Sequence, residues 1–138
     1  MASSLSAEDK IAIIELLGDY AYRLDSGDID GYVDNFLPDG TFEDFSGKRE
    51  GRDAIRASVG GMMEAGRVGG NSRVRHVLGI PHIQGEGDRA RTRTYVLMPR
   101  QNDEKQVSFP NVGVYEDELV KKDGRWRIAH RTVRIDLG

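Results

Sequence analysis

Residues 73–99, RVRHVLGIPHIQGEGDRARTRTYVLMP, decide the fold, because here the period of the sequence changes from 3.6 to 2. Within 73–84 one face carries Val74, His76, Leu78 and Ile80, and the other begins Arg73, Arg75 and Val77. Within 88–99 one face carries Ala90, Thr92, Thr94, Val96 and Met98, against Arg89, Arg91, Arg93, Tyr95 and Leu97 on the other. Both segments keep their arginines off the face that would meet a core. Two further strand-like segments follow, 106–120 and 125–136. Their connections, at Gly85-Glu86-Gly87, at 100–105 and from Lys121 to Gly124, are short and polar, as hairpin turns should be.

Upstream the period is that of helices. A first helix is expected over 7–25, capped by Ser6, with Glu8 and Asp9 well placed in its first turn. Ser26-Gly27 breaks it, and Asp28 caps a short helix over 29–36. Pro38-Asp39-Gly40 reads as a turn, 41–45 as a short strand and Ser46-Gly47 as a second turn. A third helix over 53–66 buries Ile55, Val59 and Met62. Three helices followed by a meander predict an α+β fold, a curved antiparallel sheet with the helices against one face. The 138 residues suit a single domain spanning 1–138, with the first six residues loose.

The chain has no cysteine, so a disulfide framework and a thiolate metal site are both excluded. No apolar run has the length of a signal core or a membrane span, which predicts a cytoplasmic protein without membrane contact. The net charge of −3 is unevenly spread, with −8 over residues 1–50, +5 over 51–100 and zero over the remainder. The basic middle is all arginine, without a lysine. With an acidic total and only Tyr95 among the arginines, this is better read as a solvated or subunit-facing sheet surface than as a nucleic-acid footprint. The glycine-rich loop 66–71 lacks a following Lys-Ser/Thr, so it is no phosphate loop. His76 and His82 are six residues apart and His130 is distant, a poor set for a metal, and none is expected.

Ile11, Ile14, Gly18, Ala21 and Asp25 fall on one helical face, which puts Asp25 where a core residue is expected. A carboxylate there needs a partner. His76 interrupts the apolar face of its strand in the same way. The two could form a structural hydrogen bond or the catalytic dyad of a pocket, in which a carboxylate orients a neutral histidine that acts as base. Tyr20 and Tyr22 bring phenols to the same end of the helix, and Asp44 lies between Phe42 and Phe45. Trp126 and Ile128 alternate on the last strand. Arg131 shares their face only if a bulge intervenes.

Together, "LLGDYAYRLDSGDIDGYVDNFLPDGTFED", "GRDAI", "RHVLGIPHIQGEGDRARTRTYVL" and "NVGVYEDELVKKDGRWRIAHR" resemble a SnoaL-like domain of the nuclear-transport-factor-like superfamily, over about residues 7–134. The resemblance implies an α+β cone, a curved sheet around three helices with a deep apolar cavity, dimerised through the sheet. Scytalone dehydratase and lindane dehydrochlorinase are similar in pairing an Asp at the end of the first helix with a His on the first long strand, places held here by Asp25 and His76. In the dehydrochlorinase a Lys and an Arg assist; Tyr20 and Arg131 match those positions. Ketosteroid isomerases offer a second comparison, with Tyr20 at the oxyanion tyrosine and Asp44 at the base. Their second oxyanion acid falls near Gly113, which has no side chain. The resemblance therefore implies a cofactor-independent lyase, isomerase or cyclase acting on a small apolar, ring-containing molecule. Asp25, His76, Tyr20 and Arg131 would be catalytic, and Tyr22, Asp44 and Trp126 would contact substrate. A non-catalytic ligand-binding or structural subunit of the same fold is the alternative.

Overall fold

The computed structural model describes residues 4–137, which form three helices and one seven-stranded sheet. Helices α1 (Ala7–Ser26) and α2 (Ile29–Asp34) precede strands β1 (Phe36–Asp44) and β2 (Gly47–Glu50). Helix α3 (Arg52–Glu64) follows. Then come β3 (Val77–Leu78), β4 (His82–Glu86), β5 (Arg89–Gln101), β6 (Val107–Lys122) and β7 (Arg125–Arg134). The strand order is β2-β1-β7-β6-β5-β3, with β4 also on β5. Pairing is antiparallel except between β1 and β7, which run parallel, so the curved sheet is mixed.

The helix starts follow from side-chain chemistry. Ser6 and Asp9 form a reciprocal capping box on α1, and Gly27, at φ 80°, ends that helix in the left-handed conformation. Asp28 caps α2 by accepting a hydrogen bond from Gly31 N at 2.9 Å. Residues 4–6 are not loose: Ser4 bridges Glu86, and Leu5 is buried in the core.

Four local expectations are corrected. The buried face of α1 is Ile13, Leu16, Leu17, Tyr20, Ala21 and Leu24, whereas Ile11 and Ile14 are exposed. Pro38-Asp39-Gly40 lies inside β1, where the five-residue step from Phe36 to Thr41 matches the two-residue step from Ile128 to His130. The turn residues thus shape a strand irregularity and do not end the element. The 73–84 strand is broken at Gly79-Ile80-Pro81, because a proline cannot donate to the ladder, and Ile80 is 93% exposed. The short strand β2 is additional to the expected elements.

The alternation in β5 is as read: Ala90, Thr92, Thr94, Val96 and Met98 are buried, and the residues between them are exposed. In β7, Glu118 faces His130 and Leu119 faces Ile128, so Ala129 is an extra residue. This bulge resets the phase, and Trp126, Ile128, Arg131 and Val133 are all buried.

Candidate functional site

Between the helices and the concave face of the sheet lies a cavity of about 1000 Å³. Leu24, Ile55, Val59, Met98, Val133 and Ile135 supply apolar wall, and Tyr20, Tyr32, Tyr115 and His76 supply polar groups. Such a space, mostly apolar with a few convergent polar side chains, is the usual form of a small-molecule site.

Asp25, one residue beyond the buried Leu24 at the end of α1, meets the segment entering β3. Its Oδ2 accepts a hydrogen bond from the His76 backbone N–H at 2.9 Å, and its Oδ1 lies 2.7 Å from His76 Nδ1. An ionised carboxylate can only accept, so Nδ1 carries a proton, and in the neutral ring this leaves the lone pair on Nε2. The His76 side chain is 6% exposed. His76 borders both the cavity and a separate outer groove, and Asp25 borders the groove, with Ile14, Gly18 and Leu78. The dyad thus forms part of the partition between the two.

Facing the same cavity is a cluster of phenols. The Tyr20 and Tyr32 hydroxyls are 3.0 Å apart, and the Tyr20 and Tyr115 rings meet edge to face at 5.9 Å. Arg131 stands behind them. Its guanidinium lies 4.0 Å from the Tyr20 ring centre and 4.1 Å from that of Tyr115, sandwiched by cation–π contacts. Its Nε and Nη2 both donate to Asp117 at 2.7 Å, and Thr92 Oγ1 adds a donor to the same carboxylate at 3.3 Å. Nη1 is buried without a partner. Burial alone would favour loss of the Arg131 proton, but the Asp117 charge prevails and holds the guanidinium more firmly protonated than usual.

Burial pushes all three phenols above their ordinary value of 10.0; for Tyr20 and Tyr115 the Arg131 charge offsets part of this, and for Tyr115 the charges of Tyr20 and Asp117 add to it. At neutral pH they are hydroxyl donors. A group whose pKa is raised on folding stabilises the fold below its unfolded value, and that contribution is lost as pH rises through the folded one. Stability should therefore decline once the pH passes about 10, with tyrosinate absorbance growing together with loss of near-ultraviolet dichroism. Ionisation of every tyrosine in a protein that stays folded would contradict this.

The remaining expected site residues lie elsewhere. Arg131 is not at the cavity wall; the bulge turns it inward, but Tyr20 and Tyr115 cover it. Tyr22 is 67% exposed and borders the outer groove, because it lies two positions from Tyr20 on a helix and so on another face. Trp126 is buried away from the cavity, donating through Nε1 to Asp9 Oδ1 at 3.0 Å beside Lys121, and it fastens the start of α1 to the sheet. Asp44 does border the cavity but is bound by Arg49 at 2.6 Å and Ser46 at 2.7 Å. Burial would raise its pKa; the bonds from Arg49 and Ser46 outweigh this and lower it. Tyr32, Tyr115 and Asp117 were not singled out from the sequence. Glu116 and Glu118 facing outward on β6 would have placed Tyr115 and Asp117 inward by alternation.

A family model described as a SnoaL-like domain matches residues 5–132. The chain matches none of the curated proteins compared with it. Among solved structures, a protein of unknown function with a cystatin-like fold from Nostoc punctiforme is 25% identical, with 96% of this chain and 94% of that one covered and a TM-score of 0.84. An NTF2-like protein with a cystatin-like fold from Novosphingobium aromaticivorans is also 25% identical, with 95% and 84% covered and a TM-score of 0.84. A function-unknown protein from Mycobacterium tuberculosis is 28% identical, covering 91% of this chain and 70% of its own, at a TM-score of 0.81.

Proposed function

The chain belongs to the SnoaL-like domain family, a small-molecule-binding fold, and we propose that it is a cofactor-independent lyase or isomerase for a ring-containing, largely apolar molecule. The observation that carries this reading is the carboxylate-oriented His76 at the wall of a cavity that also presents neutral phenols. His76 Nε2 takes a proton from a carbon next to a carbonyl. The C–H electron pair forms a C=C bond to the carbonyl carbon as the C=O π pair moves onto oxygen, where the Tyr20 and Tyr115 hydroxyls donate to the growing charge. Asp25 stabilises the imidazolium that results. Return of the proton to another carbon completes an isomerisation; its transfer to a departing hydroxide completes a dehydration.

The test is deuterium incorporation from D2O next to the carbonyl of cyclic ketones such as 2-tetralone, followed by NMR. Wild-type protein should accelerate exchange and an Asp25→Asn variant should not. Binding without exchange or elimination across a series of ketones and hydroxyketones would leave the non-catalytic ligand-binding reading. An isomerase scheme built on Tyr20 and Asp44 is less well supported. Asp44 is a weakened base tied to Arg49, and a side chain at Gly113 would collide with the Arg134 carbonyl, which bars an acid from that position.

The reading extends to a homodimer through the outward face of β5 and β6. Across these strands Arg91 stands opposite Glu118 in register and Arg93 forms an ion pair with Glu116 at 3.4 Å, so part of the charge is offset within one chain. Tyr95, Leu97 and Val77 remain exposed on the same face and would supply the affinity. Light scattering should give a dimer at micromolar concentration that persists in high salt, and Leu97→Glu should produce a folded monomer. A wild-type monomer, or a dimer indifferent to Leu97→Glu, would count against this face.

A further inference from the structure

The arginines of residues 51–100 take two different places in the fold. Arg91 and Arg93 face carboxylates across the outer sheet surface. Arg67, Arg73 and Arg100 instead gather with Arg49 around the cavity. The backbone brings two of them together: Val74 bridges Arg100, Gln101 N donates to Arg73 O at 3.2 Å, and Arg75 N donates to Pro99 O at 3.1 Å. Arg67 sits in a loop fastened by Ser72 Oγ, which donates to the Arg67 carbonyl at 3.1 Å. These three arginines are exposed, whereas Tyr20, Tyr32, Leu24 and Ile55 are buried, so the cavity runs from a covered depth of rings and aliphatic side chains to a cationic mouth.

The mouth is not neutralised from within. Asp44 is the one carboxylate among the described residues on the cavity wall, and it is bonded to Arg49. Arg73 meets Asp103 at 2.7 Å, a carboxylate that is 91% exposed. Arg67 and Arg100 have no carboxylate partner among the described residues. Low-dielectric walls concentrate the field of such charges at an opening, and the planar guanidinium fork fits a carboxylate with two parallel bonds.

We propose that the ligand is an amphipathic organic acid, an aromatic or alicyclic ring system seated in the depth of the cavity with its carboxylate at the mouth, held by Arg67 and Arg100. This rests on the cavity being the small-molecule site, and it is independent of whether His76 performs chemistry.

The test measures binding of 2-naphthoic acid, its methyl ester and 2-naphthyl phosphate to the full chain by fluorescence at low salt. The acid should bind about tenfold more tightly than the ester, a gap that narrows as salt is added. In the Arg67→Gln/Arg100→Gln variant the acid should weaken to the affinity of the ester, with ester binding unchanged as evidence of an intact fold. Equal affinities for acid and ester in the wild type would overturn the acid preference and leave the cavity reading in place. A preference that survives both substitutions, or tighter binding of the phosphate than of the acid, would also overturn it. Failure of all three compounds to bind would overturn both readings.

Discussion

Alanine in place of His76 is expected to lower turnover by roughly 10²–10⁴-fold, the range a positioned general base supplies. The Asp25 carboxylate would lose its ring partner but keep the bond from the residue-76 backbone N–H, so the end of α1 should stay in place and the protein should remain folded. Asp44→Ala should leave most of the activity, because Asp44 is occupied by Arg49 and Ser46 and its lowered pKa makes it a poor proton acceptor. Both variants are compared by the same deuterium-exchange assay, with thermal melting as the control for folding. Large loss in Asp44→Ala together with little loss in His76→Ala would move the chemistry to the other carboxylate and defeat the dyad scheme.

The second large effect concerns stability. Arg131→Met would leave Asp117 buried with only Thr92 as donor, and an uncompensated buried charge of this kind costs about 3–5 kcal/mol. It also removes the cation that joins the Tyr20 and Tyr115 rings. For a domain of this size the melting temperature should fall by roughly 10 °C. Combining it with Asp117→Leu should recover part of the loss, since neither charge is then stranded. A single variant that melts within a degree or two of wild type would show that Asp117 is satisfied in some other way.

The sheet was readable because charged and uncharged residues alternate from Arg89 to Thr94 in β5, a pattern that a strand with one covered face accounts for. Helix α1 was harder, since it carries apolar residues on two sides. Ile11 and Ile14 form one plausible stripe, and Ile13, Leu16, Leu17, Tyr20 and Leu24 form another. Periodicity cannot choose between two stripes; packing does. The expected Asp25–His76 contact is nevertheless present, because Asp25 adjoins Leu24 at the margin of the buried face. Arg131 could be turned inward only conditionally, since a bulge is not written in composition. Its consequence, that the guanidinium would lie behind Tyr20 and Tyr115 and not at the cavity wall, depends on how three separate elements stack. The cationic mouth was hidden for the same reason: Arg67, Arg73 and Arg100 are scattered in sequence, and backbone pairing at Val74 and Arg100 and the loop held by Ser72 bring them to one cavity.

Ala129, the extra residue of β7, determines where the chain tolerates changes of length. A residue gained or lost in the exposed 102–106 connection alters a polar hairpin end and little else. Deleting Ala129 would remove the bulge and still leave Trp126, Ile128, Arg131 and Val133 at alternate positions on the covered face, whereas deleting Thr132 would turn Val133 to the solvent side. What the Ala129 deletion would alter is the step from Ile128 to His130 that β1 matches between Phe36 and Thr41, while Arg131 keeps its place beside Asp117 and the two rings. The bulge is therefore the place where β7 can lose a residue, and the positions flanking it are those where it cannot.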